Sequence, residues 1–128
     1  MKFLLDTHVF IWADSQPEKL SDKAKACWEA YDHQIVLSTA SVWELQIKLM
    51  LGKLSLSRSL RSIIDDHQQR NAMEILPITL DHVLTLEKLP SHHKDPFDRL
   101  LIAQAISEGM TIVTHDRAFS LYEVSVIW

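Results

Sequence analysis

The stretch KFLLDTHVFIWA, residues 2–13, decides the fold. Lys2–Leu5 is a short apolar run that ends at an acid, and Thr7–Ala13 then has the character of a short helix. Short β-type runs alternate with helical patterns in the same way along the rest of the chain. This alternation is typical of βαβ units, so we expect an α/β fold with a mostly parallel sheet covered by helices on both faces.

The sequence predicts five strands and six helices. Strands are predicted over short runs of apolar or β-branched residues, at Lys2–Leu5, Gln34–Leu37, Glu74–Leu76, Thr111–Thr114 and Val124–Ile127. Helices are predicted where apolar residues recur at helical spacing or where capping residues bound a segment, at Thr7–Ala13, Ser21–Tyr31, Ser41–Leu51, Ser57–Gln69, Thr79–Lys88 and Pro96–Glu108. The only two glycines, Gly52 and Gly109, follow two of these helices, where glycine commonly ends a helix.

Length and composition exclude several classes of protein. A chain of 128 residues predicts a single domain, 1–128. Hydrophobic residues make up 47% and charged residues 23%, which is typical of a soluble globular protein. The 13 Lys and Arg against 17 Asp and Glu give a net charge of −4 without a block of like charges, which argues against a polyanion-coating protein and against a charged disordered tail.

Three further features of the sequence bear on where the protein is located and which ligands it can bind. The single cysteine, Cys27, excludes an internal disulfide and permits a reducing compartment. No apolar stretch approaches the roughly 18 residues that span a bilayer, so we expect a cytoplasmic protein without a membrane partner. With glycine only at 52 and 109, the phosphate-binding P-loop and the dinucleotide fingerprint are both absent.

Four acids lie at the ends of predicted elements. Asp6 comes directly after the first strand, and Asp116 lies just past the fourth. Glu44 is predicted in the first turn of the helix that follows the second strand, and Asp98 in the first turn of the helix before the fourth strand. Ligands of parallel sheets bind beyond the carboxyl ends of the strands, where the strand order reverses. If the first and fourth strands are neighbours, these carboxylates can share one crevice.

Each acid also has a purely structural interpretation. The segment SVWE, residues 41–44, fits a capping box. The segment DPFD, residues 95–98, fits an aspartate N-cap, a proline at the first helical position and an acid beside the helix dipole. Asp116 fits the cap of a final short helix, and Asp6 fits an Asx turn.

Taken together, the four acids favour a metal site. A carboxylate at the end of an apolar strand loses hydration and needs a partner, while several carboxylates in one crevice repel one another. A divalent cation satisfies both conditions, and Mg²⁺ prefers hard oxygen ligands together with phosphate oxygens. Such an ion can activate water and neutralise charge on a phosphodiester.

Four segments in this order resemble the PIN-domain nucleases, and within them the VapC-type toxins of bacterial toxin–antitoxin pairs. The segments are LLDTH (residues 4–8), SVWEL (41–45), DPFDRLLIAQA (95–105) and VTHD (113–116). The third is the most specific of them, and the resemblance covers the whole chain. It implies a three-layer α/β/α domain that cuts RNA with Mg²⁺ or Mn²⁺.

The resemblance also implies roles for individual acids. Asp6, Glu44, Asp98 and Asp116 match the acidic quartet of the family. Asp6 and Asp98 would be the principal metal ligands, while Glu44 and Asp116 would act directly or through water. Asp95 matches an acid common to this branch, and a role as ligand and a role as helix cap both stay open.

Supporting residues and RNA contacts are expected around this quartet. Thr7 and Thr114 match hydroxyl positions beside the acids, where they can orient water or a carboxylate. Basic or imidazole side chains near the acids are candidates for RNA contacts, namely Lys94, Arg99, Arg117 and His115. His92 and His93 fall in a predicted polar loop, where we expect them to be solvated or to face phosphate.

The resemblance implies two protein partners. One is an antitoxin that lays a segment across the toxin and blocks the acidic site, and Trp12 and Trp43 lie on helices that flank the proposed pocket. The other is a second copy of the chain, in a homodimer.

The chain also has features in common with three other functional classes. One is a non-catalytic module that binds RNA or an antitoxin. Another is an aspartyl-phosphate phosphatase of the haloacid-dehalogenase kind, which also has an aspartate after its first strand. That chemistry requires a second aspartate two residues further on, where this chain has His8. A receiver domain would require paired acids before its phosphorylated aspartate.

Overall fold

Five short strands build one sheet in the structure, a computed structural model that describes residues 1–128. The strands are β1 (Lys2–Leu5), β2 (Gln34–Ser38), β3 (Glu74–Leu76), β4 (Thr111–Val113) and β5 (Val126–Ile127). Their order across the sheet is β3-β2-β1-β4-β5, and every neighbouring pair is parallel. The predicted mostly parallel sheet is therefore entirely parallel.

Six α-helices connect the strands: α1 (Thr7–Ser15), α2 (Asp22–Glu29), α3 (Thr39–Met50), α4 (Leu60–Asn71), α5 (Leu80–Thr85) and α6 (Pro96–Glu108). Three short 3₁₀ helices are also present, at Pro17–Lys19, Leu86–Lys88 and Arg117–Leu121. None of the helices combines the length and the apolar character of a membrane span.

The alternation of side chains along β1 divides the core into two halves. Phe3 and Leu5 face one side of the sheet, where they belong to a cluster that includes residues of α1, α2 and α4. Leu4 faces the other side and packs in a second cluster with residues of α6. The α/β/α arrangement of three layers is therefore confirmed.

The strand order reverses between β1 and β4. The chain builds β1, β2 and β3 toward one edge and then returns to place β4 and β5 on the other side of β1. Leu5 is in register with Val113, so the residues that follow these two strands emerge side by side. This is the position where parallel α/β sheets bind ligands.

The start of α3 corrects the sequence prediction. The helix begins at Thr39, two residues before the predicted start, and the Ser38 side chain caps it by accepting a hydrogen bond from the backbone N–H of Ala40. The capping box predicted for residues 41–44 is therefore wrong, and Glu44 lies in the second turn of the helix rather than the first. Several other ends differ by one to three residues, as helix and strand ends commonly do.

Candidate active site

Asp6 lies at the reversal of strand order, and its side chain is buried, with 6% of the residue exposed. Its Oδ2 accepts a hydrogen bond of 2.8 Å from the hydroxyl of Thr114, at the end of β4. Burial raises the pKa of Asp6, and the hydrogen bond from Thr114 opposes that shift. The predicted neighbourhood of the first and fourth strands is thus confirmed at the level of side chains.

Asp116 extends the same hydrogen-bonded chain. Its backbone N–H donates to Thr114 Oγ1 at 3.0 Å, while its carboxylate accepts from the backbone N–H of Ala118 and caps the 3₁₀ helix that follows. The side chain is exposed. Asp116 therefore has the capping role that its sequence position suggested, at the mouth of the crevice that contains Asp6.

Glu44 is buried on α3 and both of its carboxylate oxygens have partners. Oε1 lies 2.9 Å from the Thr7 hydroxyl, which is also 2.9 Å from the hydroxyl of Ser41. Because an ionised carboxylate only accepts, Thr7 donates to Glu44 and receives a hydrogen bond from Ser41. Oε2 forms an ion pair of 2.9 Å with Lys48. The sequence indicated Thr7, but neither the contact of Ser41 with Thr7 nor the ion pair of Lys48 with Glu44.

Asp98 lies in the first turn of α6 and is half-buried. Its pKa is raised to about 8, first by burial and then by the carboxylates of Asp6, Asp95, Glu44 and Asp116. All four other candidate acids are thus close enough to act on the charge of Asp98. The acids predicted at separate element ends are brought to one region.

Asp95 is the N-cap of α6. Its Oδ1 accepts hydrogen bonds from the backbone N–H groups of Phe97, at 2.9 Å, and Asp98, at 3.2 Å. Pro96 occupies the first helical position, where its missing N–H is not needed. The structure therefore assigns Asp95 the capping role.

His93 and Tyr122 were not predicted as parts of the site. The Nδ1 atom of His93 lies 2.9 Å from the Tyr122 hydroxyl, and its Nε2 atom lies 3.4 Å from Oδ2 of Asp98. His93 is half-buried, so the expectation of a solvated side chain is wrong for this residue. No local sequence pattern indicates the contact between His93 and Tyr122, because these residues are 29 positions apart.

A cleft of about 560 Å³ opens beside Asp6 and Asp116. Its other lining residues are His8, Trp12, His115 and Arg117. Two of the four candidate RNA contacts, His115 and Arg117, therefore face the space next to the acids.

The other two candidate RNA contacts differ from each other. Lys94 is exposed on the loop before α6. Arg99 donates from Nη1 to the Pro90 carbonyl at 2.8 Å and to the Tyr122 hydroxyl at 3.2 Å. Arg99 therefore connects the loop before α6 to Tyr122, the residue that follows the last 3₁₀ helix, a structural contact that the sequence did not indicate.

No three His, Cys, Asp or Glu side chains lie close enough together in this structure to hold a metal ion. The chemistry of the donors nevertheless fits a hard divalent cation. Neither Asp6 nor Asp98 has a Lys or Arg partner, and the nearest side-chain nitrogen to Asp98 is Nε2 of His93, 3.4 Å from Oδ2. Burial is the main cause of the raised pKa of both acids, and at Asp98 the neighbouring carboxylates raise the pKa further. The carboxylates would have to move closer together to share an ion.

The sheet and the crevice together define the class of protein, a parallel α/β domain with uncompensated carboxylates at its reversal of strand order. Residues 3–124 match the PIN domain family. Over 115 residues the chain is 30% identical to Ribonuclease VapC22 of Mycobacterium tuberculosis (strain ATCC 25618 / H37Rv), an alignment that covers 89% of this chain and 86% of the relative. The chain belongs to the PIN-domain family.

Solved structures show the same fold. VapBC2 from Rickettsia felis, bound to a promoter DNA fragment, gives a TM-score of 0.76 at 20% identity and covers 99% of this chain and 98% of that one. FitAcB from Neisseria gonorrhoeae gives 0.67 at 20% identity, with 98% and 96% covered. VapBC-5 from M. tuberculosis, of a toxin–antitoxin family, gives 0.60 at 19% identity, with 98% and 95% covered.

Proposed function

We propose that this protein is a Mg²⁺-dependent endoribonuclease and the toxin of a toxin–antitoxin pair. The observation that carries the proposal is the pair Asp6 and Asp98, two carboxylates without a Lys or Arg partner and with raised pKa values, a combination that suits a hard cation. The family match and the relative named as a ribonuclease support the same chemistry. Mn²⁺ has the same preference for oxygen ligands and is an alternative metal.

The residues of the site have distinct parts in this proposal. Asp6 and Asp98 would hold the ion, and a bound divalent cation supplies water activation and charge neutralisation on the phosphodiester. Thr114 fixes the orientation of the Asp6 carboxylate through its hydroxyl. Glu44, whose oxygens are held by Thr7 and Lys48, acts through water rather than as a direct ligand.

The charge distribution is compatible with an RNA substrate. The net charge is −4, and removing the four candidate site acids leaves zero for the rest of the chain. His115 and Arg117 in the cleft wall and exposed Lys94 are placed to contact phosphates near the acids. Unpaired RNA is favoured as substrate, because its bases are accessible to side chains.

The test is cleavage of total RNA by the purified protein with Mg²⁺, with Mn²⁺ and with EDTA, followed by sequencing of the new 5′ ends. We expect discrete cleavage sites in both metals and none in EDTA. Cleavage that persists in EDTA would exclude the metal-dependent mechanism.

An antitoxin partner is proposed for the face that carries Trp43. This residue is 57% exposed and packs edge-on against Phe97 at the start of α6, 5.1 Å between ring centres. Trp12 packs against His115 and Trp128 and is half-buried, so it offers a partner less exposed surface than Trp43 does.

We expect Trp43→Ala to weaken binding of the antitoxin, measured by calorimetry. Removal of another exposed aromatic, Tyr31→Ala, is the control and leaves that affinity unchanged.

A non-catalytic binding module is the second candidate function. The ion pair between Glu44 and Lys48 and the absence of a preformed ligand group favour it. This alternative predicts RNA or antitoxin binding without cleavage in any metal. The family match leaves the aspartyl-phosphate phosphatase without support.

A homodimer is also proposed. Exposed apolar side chains on α5, α6 and the last 3₁₀ helix offer a surface for a second copy.

A further inference from the structure

We propose that His93 is a positioning residue of the active site, which orients the carboxylate of Asp98 through a hydrogen bond from Nε2–H. The inference rests on the proposed nuclease function. Its basis is a chain of contacts that connects Arg99, Tyr122, His93 and Asp98.

The contacts of Tyr122 determine which nitrogen of His93 carries the proton. The phenol oxygen receives one hydrogen bond from the backbone N–H of His93, at 3.2 Å, and another from Nη1 of Arg99, also at 3.2 Å. Both of its acceptor positions are thereby filled, so the Tyr122 hydroxyl donates its own proton to Nδ1 of His93 at 2.9 Å. In the neutral imidazole the proton is then on Nε2.

The Nε2 atom has nowhere else to donate. It is buried and has no hydrogen-bond partner, and the nearest carboxylate oxygen is Oδ2 of Asp98 at 3.4 Å. The imidazole ring is held in place by the rings of Phe119 and Tyr122, whose centres are 6.0 and 5.5 Å away. At this separation the Nε2–H group is not aligned with Oδ2, and a rotation of the Asp98 side chain would align the two.

A hydrogen bond from His93 would engage Oδ2 of Asp98 and leave Oδ1 for a cation. Outer groups that fix a ligating carboxylate in this way are worth about 10–100-fold in metal affinity or activity. His93 needs no contact with RNA or with the ion for this effect, which is why we describe it as positioning.

Three variants test the role of the Nε2–H group. His93→Leu removes the donor, and we expect RNA cleavage at saturating substrate to fall by about 10–100-fold. His93→Gln keeps an N–H donor at about the same distance from the backbone and should restore most of that loss. His33→Leu removes another half-buried imidazole, which packs on Phe3 just before β2 at the opposite end of the strands from the acids, and is the matched control, with cleavage unchanged. Melting temperatures without metal identify any variant that fails to fold.

Two further measurements separate positioning from a merely structural role. Stabilisation by added Mg²⁺, read as a shift in melting temperature, should be smaller in His93→Leu than in wild type or His93→Gln. In nitrogen-15 spectra of the neutral imidazole, wild type should show the Nε2–H tautomer, and Tyr122→Phe should show a mixture.

Several results would overturn the inference. One is wild-type cleavage by His93→Leu, and another is an Nδ1–H tautomer in the wild-type protein. Equal losses in His93→Leu and His93→Gln would show that the ring acts through packing. If wild-type protein itself cleaves no RNA, the proposed nuclease function fails, whereas normal cleavage with an inert His93 defeats only this inference.

Discussion

A substitution at Asp98 tests whether this acid binds a metal ion or only stabilises the start of α6. Asp98→Asn keeps the shape of the side chain but removes the charge that a hard cation requires. We expect RNA cleavage to fall by orders of magnitude, and Mg²⁺ to stabilise the variant less than wild type. An acid that only stabilises the helix dipole would instead lose about 0.3–1 kcal/mol on substitution and leave cleavage intact. Cleavage assays with paired melting curves in EDTA and in Mg²⁺ distinguish the two outcomes.

The pH dependence of metal-free stability provides a second test at Asp98. Its pKa is raised from 3.8 to about 8 in the folded protein, so the folded state binds a proton more tightly than the unfolded chain. The free energy of unfolding therefore falls as pH rises from about 4 to about 8. Above that range the folded protein carries the full penalty of an ionised Asp98. Asp98→Asn removes the penalty, and we expect its melting temperature in EDTA to exceed that of wild type by about 3–8 °C at pH 9. At pH 4 the difference should vanish. A lower melting point for the variant at pH 9 would contradict this electrostatic account.

The location of Asp6 and Asp116 at one edge of the sheet could be predicted from the sequence, whereas the side-chain partners of the candidate acids could not. Asp6 and Asp116 each follow an apolar strand, and this placement alone directs them to one edge of the sheet. The contacts of Glu44 with Thr7 and of His93 with Tyr122 join residues 37 and 29 positions apart. Such pairs depend on how helices pack on the sheet, and no local pattern encodes that packing.

Helix α6 was predicted correctly at both ends because its two boundaries have strong local signals. Asp95 and Pro96 begin it, and Gly109 ends it with a φ of 68°, a conformation that glycine adopts without strain. Helix α3 lacks such a signal, because Ser38, Thr39 and Ser41 are all suitable caps. The end of β2 decides between them, since Ser38 is the last residue of the strand and caps the helix as well.

The capping role of Asp95 makes a prediction about α6. Asp95→Ala removes the acceptor for two backbone N–H groups and should destabilise the protein by about 1 kcal/mol. Asp95→Asn keeps a good N-cap and should be close to neutral in stability. Chemical denaturation of the metal-free protein measures both. If Asp95→Asn also retains cleavage, a ligand role for Asp95 is excluded, and a loss comparable to that of Asp98→Asn would establish one.

At the scale of the whole molecule, the alternation of elements predicts the layers but not the order of the strands. The position of β1 between β2 and β4 follows from the direction in which the chain returns after β3. Leu4 and Leu5 fit this central position because their side chains are fully buried on opposite faces of the sheet. The same central position brings Asp6 beside Thr114, and thus the fold itself creates the crevice.

The proposed homodimer would use an apolar surface of the protein, in contrast to the polar crevice that contains Asp6. Five apolar residues on α5, α6 and the last 3₁₀ helix are between 41% and 72% exposed: Leu80, Val83, Leu84, Ile106 and Leu121. Helices α5 and α6 pack together, and Ile106 and Leu121 line one hollow, so these side chains belong to neighbouring parts of the surface. Clustered apolar exposure of this kind marks an interaction site, while isolated exposed apolar residues are ordinary.

We expect light scattering to give twice the chain mass of 14.8 kDa for wild type and the monomer mass for Val83→Asp. Val83 is 46% exposed, so the aspartate is solvated in a monomer and does not disturb the core, but in a dimer its charge would be buried without a partner. Met50→Asp, at a 78% exposed position on α3, is the matched control and should remain dimeric. A monomer for Met50→Asp together with a dimer for Val83→Asp would place the interface on α3 instead, beside the face proposed for the antitoxin.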